Sequence, residues 1–442
     1  MSVQAVFLGL LEFKMENVIE STHRPQTLSV AIVSRRVHPA HGPGGLERHV
    51  FELMKYLAAR GVRIELFSET PTDKLRKLEA ESVFPDGVSS NWIYGHRLPL
   101  GNRKGTVVLD RITNYPIWAY EVARRLAKRS EAGGQWDVIH VHGLAGLGFA
   151  CGFAGDLSRK IPLILTTHGM EEFRSHVKLK HLAYSPFRSG MRTIASKSDA
   201  LVITDKSLVK LVDEYLKATR QKQVVIPNAV DPEVIRCLGD RSRGMELVSQ
   251  FGLKEASPLF LSVGRIEINK GFDVLVSALA EVASRLPESW AWILVGTGPE
   301  GGKIERAIER EGLTDRVVMA GQLSDRDLHS LYSIADWFVH PTLYEGSSLV
   351  TLEAMAHALP VIASATGGLP DKVVDGQTGF LVPPGDRAAL SQALVEAVSC
   401  DVASFGKAGR RLCEEQFSWN VVAPQYIALY KRMIALRDRV IQ

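Results

Sequence analysis

Leu28-Ser29-Val30-Ala31-Ile32-Val33-Ser34 is a run of β-branched and small apolar residues, and Gly42-Pro43-Gly44-Gly45-Leu46-Glu47-Arg48-His49 follows it closely. The first stretch reads as a buried strand, apolar on both faces, as in a parallel sheet covered by helices on each side. From Gly45 to Ala59 the period changes, with Leu46, Val50, Leu53 and Leu57 at helical spacing. Strand, glycine-rich turn and helix in that order open a βαβ unit. Glycines at such a turn let backbone N–H groups approach a phosphate, and a helix N-terminus favours an anion. The spacing is not Gly-x-Gly-x-x-Gly, so a nicotinamide dinucleotide is a poor fit. An ordinary strand-to-helix turn fits the residues equally well.

The same alternation continues outward. Further strands are expected at Val62–Phe67, Val138–Val141, Pro162–Thr166, Ala200–Thr204 and Gln223–Ile226. A polar stretch, Pro227–Ser257, separates this series from a second at Leu259–Val263, Trp292–Val295, Val317–Ala320, Trp337–His340 and Val361–Ala363. Phe417–Gln442 reads as one long helix, with Tyr426, Leu429, Met433 and Leu436 on its apolar face. A chain of 442 residues is too long for one core. The expected fold class is α/β, with two Rossmann-like doubly wound domains facing each other across a cleft. Residues 1–27 form an N-terminal extension, 28–227 the first domain, 228–416 the second, and 417–442 a closing helix.

Apolar residues make up 45% and charged residues 23%, the balance of an ordered globular protein. Net charge is +4, unevenly spread: residues 1–200 hold 27 Lys+Arg against 19 Asp+Glu, and the remainder 26 against 30. A basic first half suits an anionic acceptor or an anionic membrane surface as well as a merely solvated face. No nucleic-acid-binding motif accompanies it, so nucleic acid is not an expected partner. Cys151, Cys237, Cys400 and Cys413 are scattered, which points to a reducing cytoplasm rather than a disulfide framework. No apolar run approaches the ~20 residues of a membrane span. Ala5–Leu11 is short and lacks a preceding basic segment, so no signal peptide is expected.

Two further constellations carry chemistry. Gly264-Arg265-Ile266-Glu267-Ile268-Asn269-Lys270-Gly271 follows the first strand of the second series. Two cations at the mouth of a sheet can neutralise a diphosphate leaving group, the task a divalent metal performs elsewhere. Alone, such a pair is more often two solvated charges. Glu345-Gly346-Ser347-Ser348-Leu349-Val350-Thr351-Leu352-Glu353 places one acid in a loop and a second within a helix starting near Ser347. The N–H groups of that helix start can hold phosphate or sugar hydroxyls. A carboxylate such as Glu353 can accept from two vicinal ribose hydroxyls. Leu352, Ala354, Met355 and Ala356 around it argue against an exposed face.

These motifs, in this order, resemble glycosyltransferase family 4, retaining enzymes of GT-B architecture. Thr167-His168-Gly169, Pro227-Asn228-Ala229-Val230-Asp231, Val295-Gly296-Thr297-Gly298-Pro299 and Gly367-Gly368-Leu369-Pro370 extend the resemblance from about Leu28 to the final helix. The resemblance implies a nucleotide diphosphate-sugar donor and metal-independent transfer, with no cofactor. It implies that Gly44 and Gly45 face the donor phosphate and that Arg265 and Lys270 bind the diphosphate. Glu353 would hold the ribose, and Glu345, with Gly346 and the N–H groups of Ser348 and Leu349, would meet the sugar. His168 would sit beside the transferred sugar, and Gln322 and Leu323 would approach the base. The acceptor is left open between a glycan, a lipid-linked and a small molecule, with peripheral membrane contact through the basic first domain. A sugar phosphorylase, an epimerase or an inactive nucleotide-sugar-binding protein are the alternatives. Asn228-Ala229 stands where the family usually has Asn-Gly, and Ser347-Ser348 where Phe-Gly is usual; the serine pair bears on the identity of the donor sugar more than on the activity.

Three signals carry less. Asp325-Arg326-Asp327 resembles a metal-binding Asp-x-Asp, but Ser324 before it and Leu328, Leu331 and Tyr332 after it make a capped helix start. His140 and His142 share one face of a strand. Two histidines fall short of the three protein ligands a metal site normally needs, so no metal is expected. Arg124-Arg125 and Lys128-Arg129 form a basic helix face, solvated or set against anionic lipid.

Overall fold

The computed structural model describes residues 27–441, apart from 43, 72, 95–105, 169, 171–172, 174–181, 183 and 254. The expected extension thus lies outside the described residues except for residue 27, as do Pro43 and Gly169 of the quoted motifs.

Strands β1 (Ser29–Val33), β2 (Arg63–Glu69), β3 (Val88–Ile93), β4 (Val138–His142), β5 (Leu163–Thr166), β6 (Ala200–Ile203) and β7 (Gln223–Val225) form one parallel sheet in the order β3-β2-β1-β4-β5-β6-β7. Strands β8 (Leu259–Val263), β9 (Ala291–Val295), β10 (Val317–Gly321), β11 (Trp337–His340), β12 (Val361–Ser364) and β13 (Gly379–Val382) form a second, in the order β10-β9-β8-β11-β12-β13. Strand order reverses between β1 and β4 and again between β8 and β11. At each reversal the connecting loops part and leave a crevice at the carboxyl ends of the strands.

Helices α1 (Gly45–Ala58), α2 (Pro232–Leu238), α3 (Arg241–Gln250), α4 (Phe272–Val282), α5 (Asp325–Tyr332), α6 (Leu349–Ala356) and α7 (Trp419–Ile441) pack around these sheets and frame the cleft. The polar stretch after Pro227 is not a linker but carries α2 and α3. Its polarity comes largely from caps. Asp231 accepts from Glu233 N and Val234 N at 3.1 Å each, and Asp240 accepts from Ser242 N at 3.0 Å and Arg243 N at 3.1 Å. The expected strands match to within about a residue or two at each end. β3 and β13 are not among the expected strands. β3 is a sheet edge, and Ser89, Ser90 and Asn91 dilute its apolar signal.

Helix α7 crosses back onto the first domain. Trp419, Val422, Ala423, Tyr426, Leu429 and Tyr430 share a buried cluster with Val30, Ile32 and Leu53. Burying a large apolar side chain contributes about 1.5–3 kcal/mol, so this face alone docks the helix firmly. The two chain crossings between domains are tied together: Val230 N donates to Phe417 O at 2.9 Å, and Trp419 N to Val230 O at 3.0 Å. Among the described residues no single helix is long and apolar enough to cross a membrane.

Candidate active site

The loops leaving β8 and β11 meet at the reversal of the second sheet. Gly271 is left-handed at φ 64°, and a Cβ there would stand 2.1 Å from Pro341 O, so only glycine lets the two loops approach. Leu343 N then donates to Asn269 O at 2.7 Å, and Thr342 Oγ1 donates to the same oxygen at 2.8 Å. This stitching delivers Lys270 Nζ to Glu345 Oε2 at 2.7 Å. His340 Nε2 meets the same oxygen at 2.7 Å, and Gly346 N donates to Oε1 at 3.2 Å. Burial opposes the charge on Glu345, yet Lys270 and the His340 hydrogen bond hold its carboxyl well below the usual range. It is a fixed anion with both oxygens engaged.

Arg265 does not join this group. Its guanidinium is 76% exposed and pairs with Glu267 Oε1 at 3.0 Å. Helix α6 begins just beyond Glu345, with Ser348 as N-cap accepting from Thr351 N at 3.3 Å. Gly346 and Ser348 are buried and Leu349 half-buried. One turn in, Glu353 is 8% exposed and accepts from the Tyr332 hydroxyl at 3.4 Å. Burial pushes its carboxyl up, with Arg48 pulling the other way. Gln322 is exposed and Leu323 half-buried just past β10.

The first domain faces this group across the cleft. Gly44 caps α1, whose start stands close to α6: a Cβ on Gly45 would lie 3.7 Å from Leu349 Cδ1. A cavity of about 170 Å³ between the domains is lined by Arg48, His49, Asp231, Asp325, Leu349 and Glu353 among others. Arg48 bridges the domains, its Nη2 2.7 Å from Asp325 Oδ1. Ser324 N-caps α5 by accepting from Asp327 N at 3.1 Å, and Asp327 pairs with Arg243 at 2.8 Å. The two aspartates of the Asp-x-Asp thus point to different partners. His168 sits after β5 in a left-handed conformation, φ 43°, unusual outside glycine and a mark of a locally strained loop. Its Nε2 lies 2.9 Å from His142 Nδ1. Burial pushes both imidazoles well below their usual range. His140, by contrast, is packed and satisfied, by the Tyr430 hydroxyl at 2.8 Å and Thr166 Oγ1 at 2.7 Å.

A second bridge between domains is fully buried. The Lys372 ammonium is bonded to the Asp205 carboxylate, to Ser347 Oγ at 3.1 Å and to Gly368 O at 3.2 Å. Ser347 Oγ in turn donates to Asp205 at 3.2 Å. The serine that departs from the family pattern is therefore a member of an interdomain ion-pair network.

Two family models divide the chain between them: Glycosyltransferase Family 4 matches residues 43–234, and Glycosyl transferases group 1 matches residues 246–412. The chain belongs to the family 4 glycosyltransferases. Relatives named D-inositol 3-phosphate glycosyltransferase are 29% identical in Nocardioides sp., over 91% of this chain and 89% of theirs, and 29% identical in Xylanimonas cellulosilytica, over 91% and 96%. Among solved structures, sucrose-phosphate synthase from Thermosynechococcus elongatus superposes with a TM-score of 0.71 at 25% identity, covering 92% of this chain and 100% of that one. Anabaena HepE in complex with UDP gives 0.68 at 18% identity, covering 92% and 100%. The two sheets and their cleft are thus the GT-B fold. In this glycosyltransferase His340, Arg48, Asp205 and Lys372 join the site without any motif that marks them in the sequence.

Proposed function

We propose that this glycosyltransferase moves a sugar from a nucleotide diphosphate-sugar to a small anionic acceptor, with retention of configuration and without a metal ion. The observation that carries the reading is the Lys270–Glu345–His340 group set against the start of α6, where helix N–H groups and a cation converge. Lys270 and Arg265 take the diphosphate; Arg265 gives up only an exposed contact to Glu267, which costs little. Gly44 and Gly45 close over the phosphates from the other domain. Gly346, Ser348, Leu349 and His168 surround the sugar, Glu353 takes the ribose, and Gln322 and Leu323 border the base.

Breaking the bond from the sugar C1 to the phosphate oxygen leaves an oxocarbenium-like ring and a nucleoside diphosphate. The cations and the α6 dipole stabilise the charge that develops on the leaving group. The acceptor oxygen attacks C1 from the same side, and its proton passes to a phosphate oxygen. Glu345 fits this front-side route better than a role as nucleophile, because Lys270, His340 and Gly346 N already occupy its oxygens. The phosphate-bearing acceptor is supported by the relatives' name, D-inositol 3-phosphate glycosyltransferase, and by the excess of cations in residues 1–200. The four free thiols suit a reducing cytoplasm. Thermal-shift screening of nucleotide-sugars, followed by transfer assays on inositol phosphates against unphosphorylated inositol, tests the reading. Transfer to neither acceptor, with phosphorolysis of the donor instead, overturns it.

Transfer is expected to persist in excess chelator, since protein cations carry the task of a metal. Loss of activity on chelation, restored by magnesium or manganese, refutes this.

Glu353→Gln is expected to weaken the bare nucleoside diphosphate as much as the whole donor. An amide keeps one acceptor oxygen and presents donors in place of the other, so one charge-assisted hydrogen bond, worth about 1.5–3 kcal/mol, is lost. In the wild type, nucleotide affinity should fall as pH falls, because burial already raises the Glu353 carboxyl and only the anion accepts from both hydroxyls. Calorimetry checks both; a Glu345→Gln variant that loses nucleotide affinity while Glu353→Gln keeps it would reverse the two roles.

A further inference from the structure

His49 on α1, His142 at the end of β4 and His168 after β5 come together from three separate elements. Among the described residues they form a group whose ligand nitrogens, one from each ring, all lie within 4.8 Å of one another. His142 and His168 share one hydrogen bond. Both ring nitrogens of His49 and Nε2 of His142 are buried without any partner. His49 and His142 are each 1% exposed. An unsatisfied buried nitrogen costs roughly 1–3 kcal/mol, and the His49 ring, with neither nitrogen paired, favours an occupant that it can ligate.

We propose that His49, His142 and His168 bind a zinc-class divalent ion, with a fourth coordination position open to the interdomain cleft. Three neutral imidazoles with an open position are a known zinc ligand set, with Zn–N distances of about 2.0–2.1 Å. Tetrahedral geometry then sets the nitrogens roughly 3.3 Å apart, a spacing bracketed by the 2.9 Å contact and the 4.8 Å limit observed. The absence of a carboxylate from the group favours zinc, cobalt or nickel over magnesium and manganese. His49 lines the cavity between the domains and His168 is only partly buried, so an ion can enter and a water or phosphate oxygen can complete it.

The consequence, which rests on His168 lying beside the transferred sugar, is inhibition. A metal-bound imidazole cannot also meet the sugar, so zinc switches transfer off and a chelator restores it. This is distinct from a metal that serves the diphosphate, which would make chelation harmful.

Cobalt(II) titration of the whole protein, freed of metal beforehand, tests the site directly. The expected result is one ion per chain with the intense visible absorption of tetrahedral cobalt, displaced by zinc. His49→Phe keeps an aromatic ring against Trp419 but has no ligand nitrogen, and should abolish that band. A melting temperature of the metal-free variant near that of the wild type shows that it folds, and zinc should raise the wild-type value only. Uptake of less than one ion, or equal uptake by His49→Phe, overturns the site. Stoichiometric binding with transfer unaffected by zinc overturns the inhibition alone. Because cobalt binding is read without any donor, it stands or falls independently of the transferase reading.

Discussion

Replacing Lys270 by alanine is expected to lower turnover by about 10²–10³, whereas Lys407→Ala stays within assay error. Removing one donor aimed at a developing anion typically costs about 2.7–4 kcal/mol. Lys270 is fixed for that task by the tight contact between the loops after β8 and β11 and by Glu345 at 2.7 Å. Lys407 is exposed on the helix Val402–Gln416 and is not among the residues assigned to the site. A stability effect is separable from a catalytic one. Without Lys270, Glu345 keeps His340 as a partner, so the variant should fold, with a lowered melting temperature. Calorimetry with a nucleoside monophosphate and a nucleoside diphosphate gives the second reading. Wild type should prefer the diphosphate, and Lys270→Ala should lose most of that preference while binding the monophosphate nearly as before. Equal turnover losses in Lys270→Ala and Lys407→Ala would remove Lys270 from the site.

How far the sequence discloses this molecule depends on which physical pattern each part needs. β1, β8 and β12 are apolar on both faces because helices cover both sides of a central parallel strand, and such runs stand out. β3 is half-exposed at an edge and does not. The chemistry of Lys270, Glu345 and Glu353 is legible because each lies within a loop-to-helix segment whose glycines and helix start restrict what it can do. Their partners are not. Nothing near His340 or Arg48 announces that they will face Glu345 and Asp325, since the first contact arises when the loop after β11 folds back on the strand end and the second when the two domains close together. The histidines show the same limit. His140 and His142 on one strand look like the pair to consider, yet the fold sends His140 to Tyr430 and assembles His142 with His49 and His168 instead.

Lys372→Met is expected to destabilise the protein by about 3–5 kcal/mol, the usual cost of leaving one member of a buried ion pair uncompensated. Lys372 is fully buried and Asp205 nearly so, and burial already works against the Asp205 charge, which Lys372 offsets. Removing the ammonium strands the carboxylate, with Thr204 Oγ1 at 2.9 Å and Ser347 Oγ at 3.2 Å left among the described residues to satisfy it. The double variant Asp205→Asn/Lys372→Met should recover much of the loss, because taking out both charges of a buried pair is often nearly neutral. A double-mutant cycle from denaturation midpoints therefore gives a large coupling energy if the pair is as the geometry shows. The network also spans the domains and includes Ser347, two residues after Glu345. The recovered double variant should hence still show weaker donor binding, since the loop carrying Glu345 has lost its charged tie to the first domain and keeps at most a neutral hydrogen bond from Ser347. Additive single-variant losses, with no recovery in the double, would mean that Asp205 and Lys372 do not share this contact in solution.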